Sequence, residues 1–232
     1  MKIEFCIEAE SAAVAAEKYG VDRIELCSDL KQDGLTPSKE LILACRKAFS
    51  GEIHMMIRPR GGDFHYSDAE ISQMLDDIKL AAECGVNGVV FGILDEEAGI
   101  DIEKNSLLIK AAQELGLQAT FHRAFDVCLA PLRTLEELIE MGFKRVLTSG
   151  QQTTAPEGLL LIKNLCEQAN GRIEIMAGSG VGPQTINQLT DIGLDAVHFS
   201  VHDKSKTITD SDYIDFSKIE GVLEQVRGSL SV

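Results

Sequence analysis

Gly20-Val-Asp-Arg-Ile-Glu-Leu-Cys27 and Gly193-Leu-Asp-Ala-Val-His-Phe-Ser200 follow one plan: a glycine, a short polar step, then an apolar run with polar residues set into it. Five more segments repeat it, Gly51-Glu-Ile-His-Met-Met-Ile-Arg58, Gly85-Val-Asn-Gly-Val-Val-Phe91, Gly116-Leu-Gln-Ala-Thr-Phe-His122, Gly142-Phe-Lys-Arg-Val-Leu-Thr-Ser149 and Gly171-Arg-Ile-Glu-Ile-Met176. A helix-like stretch precedes each glycine, and glycine suits the residue just past a helix C-terminus. With Lys2–Ile7 as the first strand there are eight strand candidates. Helical patterns at Ser11–Tyr19, Ser38–Phe49, Asp68–Cys84, Glu103–Leu115 and Leu132–Met141 fall between them. Strict alternation of strand and helix demands a parallel sheet.

Eight such units favour closure. An open doubly wound sheet usually has fewer strands and a glycine-rich turn after the first, whereas here the first strand runs into Glu8-Ala-Glu-Ser. Pro37, Pro131, Pro156 and Pro183 stand near helix starts, where a missing N–H costs little. The expectation is an α/β fold, one (β/α)8 TIM barrel domain over residues 1–232, with its site at the mouth formed by the strands' C-terminal ends.

Composition narrows the function. The net charge of −15 repels nucleic acid and anionic lipid, and no basic block offsets it locally. No apolar run approaches the roughly 20 residues of a membrane helix, and the start lacks the pattern of an export signal. The six cysteines are scattered without a CxxC pair, which suits reduced thiols in a cytosol. Small anionic ligands or metal cations remain as partners.

Along the strands, one alternating set is polar: Glu4 and Cys6, Glu25 and Cys27, His54, Met56 and Arg58, Thr120 and His122, Ser149, Glu174 and Met176, His198 and Ser200. The other set is apolar. Because the outer face of a barrel packs on helices, the polar set belongs inside. Charges buried there require partners, and Glu4, Glu25 and Glu174 are expected to pair with Arg58 and Arg123.

Glu4-Phe-Cys6 and Glu25-Leu-Cys27 place two thiols about 5 Å apart on neighbouring strands. That spacing suits a soft monovalent cation such as Cu(I), with Met56 and Met176 facing the same interior, although buried cysteine is also a common small core residue. Arg58-Pro-Arg60 and the Gly178-Ser179-Gly180 turn, with Ser149, form a candidate anion site. His122, with Asp126 as its orienting carboxylate, and Glu25 are the candidates for proton transfer.

Taken together, IELC, RPRGGDF, TFHRAFD, RVLTSG and MAGSGV, in this order from the first strand to about Ser200, resemble the CutC family of copper homeostasis proteins. The resemblance implies a (β/α)8 barrel, a cytoplasmic location, assembly into homo-oligomers and a Cu(I) site that maps onto Cys6 and Cys27. After Ser200 the chain departs from the family, replacing a longer Ser-Ala-containing loop with the short Val201–Asp210 connection. The alternative reading is a TIM-barrel enzyme acting on a small anionic or phosphorylated metabolite, with no reaction assigned. It is motivated by the polar residues gathered at the mouth.

Overall fold

A computed structural model describes residues 1–203, 205–210 and 213–228, so Lys204 of the Val201–Asp210 connection, residues 211–212 and the end of the expected 1–232 domain lie outside the described residues. The strands are β1 Lys2–Ile7, β2 Arg23–Leu26, β3 Glu52–Met56, β4 Gly88–Phe91, β5 Gln118–Phe121, β6 Arg145–Thr148, β7 Glu174–Gly178 and β8 Ala196–Ser200. The helices are α1 Glu10–Tyr19, α2 Lys39–Ala48, α3 Asp68–Glu83, α4 Ile102–Glu114, α5 Pro131–Met141, α6 Leu159–Ala169, α7 Ile186–Thr190 and α8 Phe216–Gly228. All strand pairs are parallel, and β8 pairs back on β1 to close the barrel.

The repeat explains the local structure. Gly20 ends α1 with φ 58° and donates its N–H to the last turn, as the sequence pattern requires. Gly51 is the exception. It is not left-handed, and a Cβ there would lie 2.4 Å from the Phe49 ring, so it is small because the chain is crowded. The polar step has its own task. Asp22, Asn87 and Asp195 each accept the first free strand N–H of the preceding strand, from Ile3 at 2.8 Å, Ile53 at 3.0 Å and Ile175 at 2.8 Å. Each of these three units thereby satisfies a backbone donor of the unit before it.

The outer strand faces carry Ile3, Phe5, Ile24, Leu26, Ile53, Met55, Phe91, Phe121 and Val146. These merge with buried helix residues such as Ile42, Met74, Leu108, Leu135 and Ile219 into one continuous core between sheet and helices. Among the described residues the barrel interior holds only two small apolar clusters, Cys6–Cys27–Met56–Val90 and Leu147–Met176–Ala196. Met176 therefore does not join the cysteines, and of the two methionines only Met56 does.

The rest of the interior is charged, and its cations are not those expected. Arg58 and Arg123 do not pair with Glu4, Glu25 or Glu174. The partners are Arg23 and Arg145, which are 0% and 1% exposed. Arg23 bonds Glu4 and reaches Glu174 at 3.5 Å. Arg145 bonds Glu174 at 2.7 Å and Thr120 at 2.9 Å, and sits 3.2 Å from His54 Nδ1. The reason is height along the axis. Register sets Arg23 opposite Glu4 and Arg145 opposite Glu174, whereas Arg58 and Arg123 follow their strands at the mouth. Gly88 makes room for this layer, since a Cβ there would lie 2.7 Å from the His54 ring.

Removing one member of a buried ion pair strands the other, typically at about 3–5 kcal/mol. Arg145→Ala is expected to lose that much in urea unfolding, and a loss below about 1 kcal/mol would show that the network does not hold the interior. Burial opposes ionisation of Glu174, but the Arg145 bond and charge outweigh it and hold the carboxyl below its ordinary 4.5. Its contribution is complete above the unfolded value and disappears as pH falls through the folded one. The Glu174→Gln chain should therefore be less stable at neutral pH and flatter below pH 4.5.

Candidate functional site

Cys6 lies opposite Glu25 in the β1–β2 register, so Cys27, two residues further along, stands diagonally above it. Cys6 Sγ, Cys27 Sγ and a Glu25 carboxylate oxygen lie within 4.8 Å of one another, all buried. Cys27 Sγ is 3.5 Å from Glu25 Oε2. Beneath Cys6, Glu4 Oε1 is 2.7 Å from His198 Nδ1, and the other ring nitrogen lies 3.7 Å from Glu25 Oε2. Two thiols, a carboxyl and an imidazole thus converge from β1, β2 and β8.

The site is covered from above. Leu30, in a one-turn 3-10 helix after β2, packs on the Cys6–Cys27–Met56–Val90 cluster. Glu8, which continues the inward parity of Glu4 and Cys6, accepts from Leu30 N at 2.9 Å and from Tyr213 Oη at 3.0 Å. One carboxylate thereby ties the β2 loop to the segment after β8. Gly34 closes against Cys27: a Cβ there would sit 3.0 Å from its Sγ, and its φ of +87° would strain any other residue.

Proton affinities follow from the contacts. The hydrogen bond from Cys27, with His198 and Glu25 adding to it against burial, holds the Cys6 thiol well below its ordinary value. The same Cys6 contact, burial and the Glu25 charge push Cys27 well above its own. The two sulfurs titrate as a coupled pair in which these contacts make Cys6 the more acidic member. Burial raises Glu25, with Cys6 and Glu4 adding to the shift and His198 opposing it. Burial also works against His198 ionisation, but Glu25, Cys6 and Glu4 raise its value well above the ordinary one. Arg23 and His198 overcome the burial of Glu4 and keep it ionised. Burial and Arg145 hold His54 well below its ordinary value, and so neutral.

Other sequence candidates lie around the mouth, already engaged. Arg58 is 4% exposed and donates to the carbonyls of Gln32 at 3.1 Å, Asp33 at 3.3 Å, Gly34 at 3.5 Å and Gly62 at 3.0 Å. Arg60 bonds Glu70 at 2.6 Å and Asp63 at 3.0 Å. Ser179 Oγ donates to Thr153 O at 2.8 Å, tying the Gly178-Ser179-Gly180 turn to the preceding loop.

His122 and Asp126 do not form the expected pair. His122 Nδ1 accepts from Ala124 N at 3.2 Å, and burial together with the Arg58 charge lowers its value to about 3. Asp126 faces the other way, accepting from Arg123 Nε at 2.8 Å, from Ser149 N and Oγ at 3.0 Å each, and from Gln151 N at 3.2 Å. A carboxylate with so many backbone and hydroxyl donors is a loop clamp. Its geometry was hidden because its backbone donors, Ser149 N and Gln151 N, come from the segment after β6. The sequence reading also gave Arg23, Arg145, Glu8 and Tyr213 no role. Parity with Glu25, and with Glu4 and Cys6, was the available signal for Arg23 and Glu8.

Residues 1–203 match the CutC family. The chain belongs to that family. A CutC family protein of Glaesserella parasuis is 40% identical over 97% of this chain and 99% of its own length. One from Porphyromonas gingivalis is 47% identical over 88% of this chain and 82% of its own. The CutC structure solved from Streptococcus agalactiae, by name a copper homeostasis protein, aligns at TM-score 0.81 and 35% identity, covering 86% of this chain and 98% of that one. Thiamine phosphate pyrophosphorylase from Pyrococcus furiosus, at TM-score 0.65 and 12% identity over 99% of this chain and 97% of that one, shares the barrel alone. The family match ends at residue 203.

In this CutC family chain the RPRGGDF arginine holds down the loop over Cys27, which yields a prediction. Hydrogen bonds to a charged group are worth about 1.5–3 kcal/mol each. Arg58→Ala should therefore ease local opening by at least about 1.4 kcal/mol, a tenfold rise in Cys27 alkylation measured by site-resolved mass spectrometry. A rate within about twofold of the parent chain would show that other contacts keep the loop closed.

Proposed function

We propose that the chain is a cytosolic copper homeostasis protein that holds Cu(I) between Cys6 and Cys27. The observation that carries this is the pair of buried sulfurs within 4.8 Å. Metal–thiolate bonds of about 2.3 Å span at most about 4.6 Å between two sulfurs on one ion, so little movement is needed. Thiolates select a soft monovalent ion, and Cys6 is predisposed to supply the first one. The thioether of Met56 lies in the same cluster and offers a further soft contact. Membership of the family whose Streptococcus agalactiae member is named for copper homeostasis supports the choice of ion.

The cytosolic setting is supported by six free thiols, since such cysteines persist where the milieu is reducing. Among the described residues no helix is long and apolar enough to cross a membrane. Cu(I) titration of the reduced protein against a competing chelator tests the proposal. The Cys6→Ser, Cys27→Ser double variant should lose affinity on the order of 100-fold or more. Equal affinity in the two proteins would remove the reading.

A further inference from the structure

Cu(I) requires only the two sulfurs, yet the site holds more donors than that. Glu25 is 3% exposed, and its Oε1 has no hydrogen-bond partner. Its Oε2 lies 3.5 Å from Cys27 Sγ and 3.7 Å from His198 Nε2. Four donors at tetrahedral corners, with bonds of about 2.0–2.3 Å, are separated by roughly 3.3–3.8 Å. These two edges stand near the spacing that one ion would impose. Glu25 is the donor common to the two groups within 4.8 Å, Cys6–Glu25–Cys27 and Glu4–Glu25–His198, so closure on one ion draws His198 toward the sulfurs.

Glu4 also lies within 4.8 Å of Glu25 and His198, but it is not a fifth ligand. One of its oxygens is bound by Arg23 and the other meets His198 Nδ1 at 2.7 Å. It takes the part of the carboxylate that commonly stands behind a metal-bound histidine, fixing the ring and leaving Nε2 to face the ion. We infer that Cys6, Cys27, Glu25 and His198 form a closed four-donor site for a divalent cation of the zinc class, with Glu4 as the positioning residue behind His198. Mixed sulfur, nitrogen and oxygen donors suit that borderline ion, whereas carboxylate and imidazole add little for Cu(I). With four protein ligands and Leu30 overhead, the site has no open position for water, so it stores or buffers the ion and does not activate a nucleophile.

This inference rests on the same two sulfurs as the copper reading and adds two residues that copper does not need. The test uses the full reduced chain under anaerobic conditions, with Zn2+ in chelator competition, Co2+ as a spectroscopic probe and Cu(I) in parallel. One Zn2+ per chain is expected, and Co2+ should give the intense visible bands of a four-coordinate centre with sulfur charge transfer. His198→Gln and Glu25→Gln, each checked for fold by circular dichroism, should each weaken Zn2+ by roughly 10- to 100-fold, a larger loss than either causes for Cu(I) measured in parallel. No Zn2+ binding, weak six-coordinate Co2+ bands, or Zn2+ affinity untouched by both substitutions overturns the inference. The wild-type cobalt spectrum decides the matter even where a variant misfolds. Thiol-dependent Cu(I) binding without Zn2+ overturns only this inference. Cu(I) binding indifferent to Cys6 and Cys27 removes the copper reading, while the zinc result is judged on its own spectrum.

Discussion

An ionised side chain inside a barrel must be neutralised there, and this constraint shapes the interior of the molecule. Arg23 and Arg145 span the space between Glu4 and Glu174, and neither arginine has a route to water. Barrel interiors usually solve packing with branched apolar residues. This one uses guanidinium groups, whose planar donors satisfy several acceptors at once. Such a network does not tolerate the loss of one member, so it fixes where the side chains above it stand. His198 is aligned because Glu4 is aligned, and Glu4 is aligned because Arg23 occupies its other oxygen. The thiols are built on top of that stack.

Much of this was legible in the sequence, because a parallel barrel writes two periods into its chain. The Gly-x-Asp/Asn step repeats with every unit that reuses the same strand cap, and the alternation of Glu4-Phe5-Cys6 with Glu25-Leu26-Cys27 assigns the inward face. Choice of partner was not legible. Whether Glu174 meets Arg58 or Arg145 depends on the stagger between strands, which no single segment encodes. For the same reason Asp126 looked like the companion of His122, four residues before it, when its donors lie after β6. Gly88 is a further case. It reads as part of a strand pattern, and only the ring of His54 and the carbonyl of Gln118, on the strands to either side, explain why no Cβ is tolerated there.

The mouth is knitted to itself. Arg58 gives its two terminal nitrogens to carbonyls of the β2 loop and to Gly62, Asp126 gathers the loop after β6, and Glu8 joins Leu30 to Tyr213. Arg58, of a residue type that also suits an anion, thus fastens backbone in this structure. Arginine and aspartate serve either purpose equally well by composition. What separates the two is whether the donors are already occupied, a property of the folded loops. The fastening also fixes the apolar cap over the sulfurs, which separates them from bulk water.

That cap makes charge balance decisive for any ion entering the site. In the interior of the barrel Glu4, the half-buried Glu174 and Cys6, all three held below their ordinary values, face Arg23, Arg145 and His198. A coupled sulfur pair that keeps one proton carries a net charge of minus one. Exchanging that proton for Cu(I) leaves the pair with the same net charge of minus one, so on the copper reading the surrounding network sees no new charge. Desolvating an uncompensated charge in such a place costs several kcal/mol, roughly the scale of the whole fold's margin. A divalent ion held by the sulfurs alone would bring one positive charge too many. It becomes compatible only when the Glu25 carboxyl also gives up its proton or the His198 imidazolium its own, the two groups whose contacts with Cys27 and Cys6 place them beside the ion. The identity of the buried neighbours, more than the thiols themselves, therefore decides which metals this barrel can accept without disturbing the ion pairs beneath.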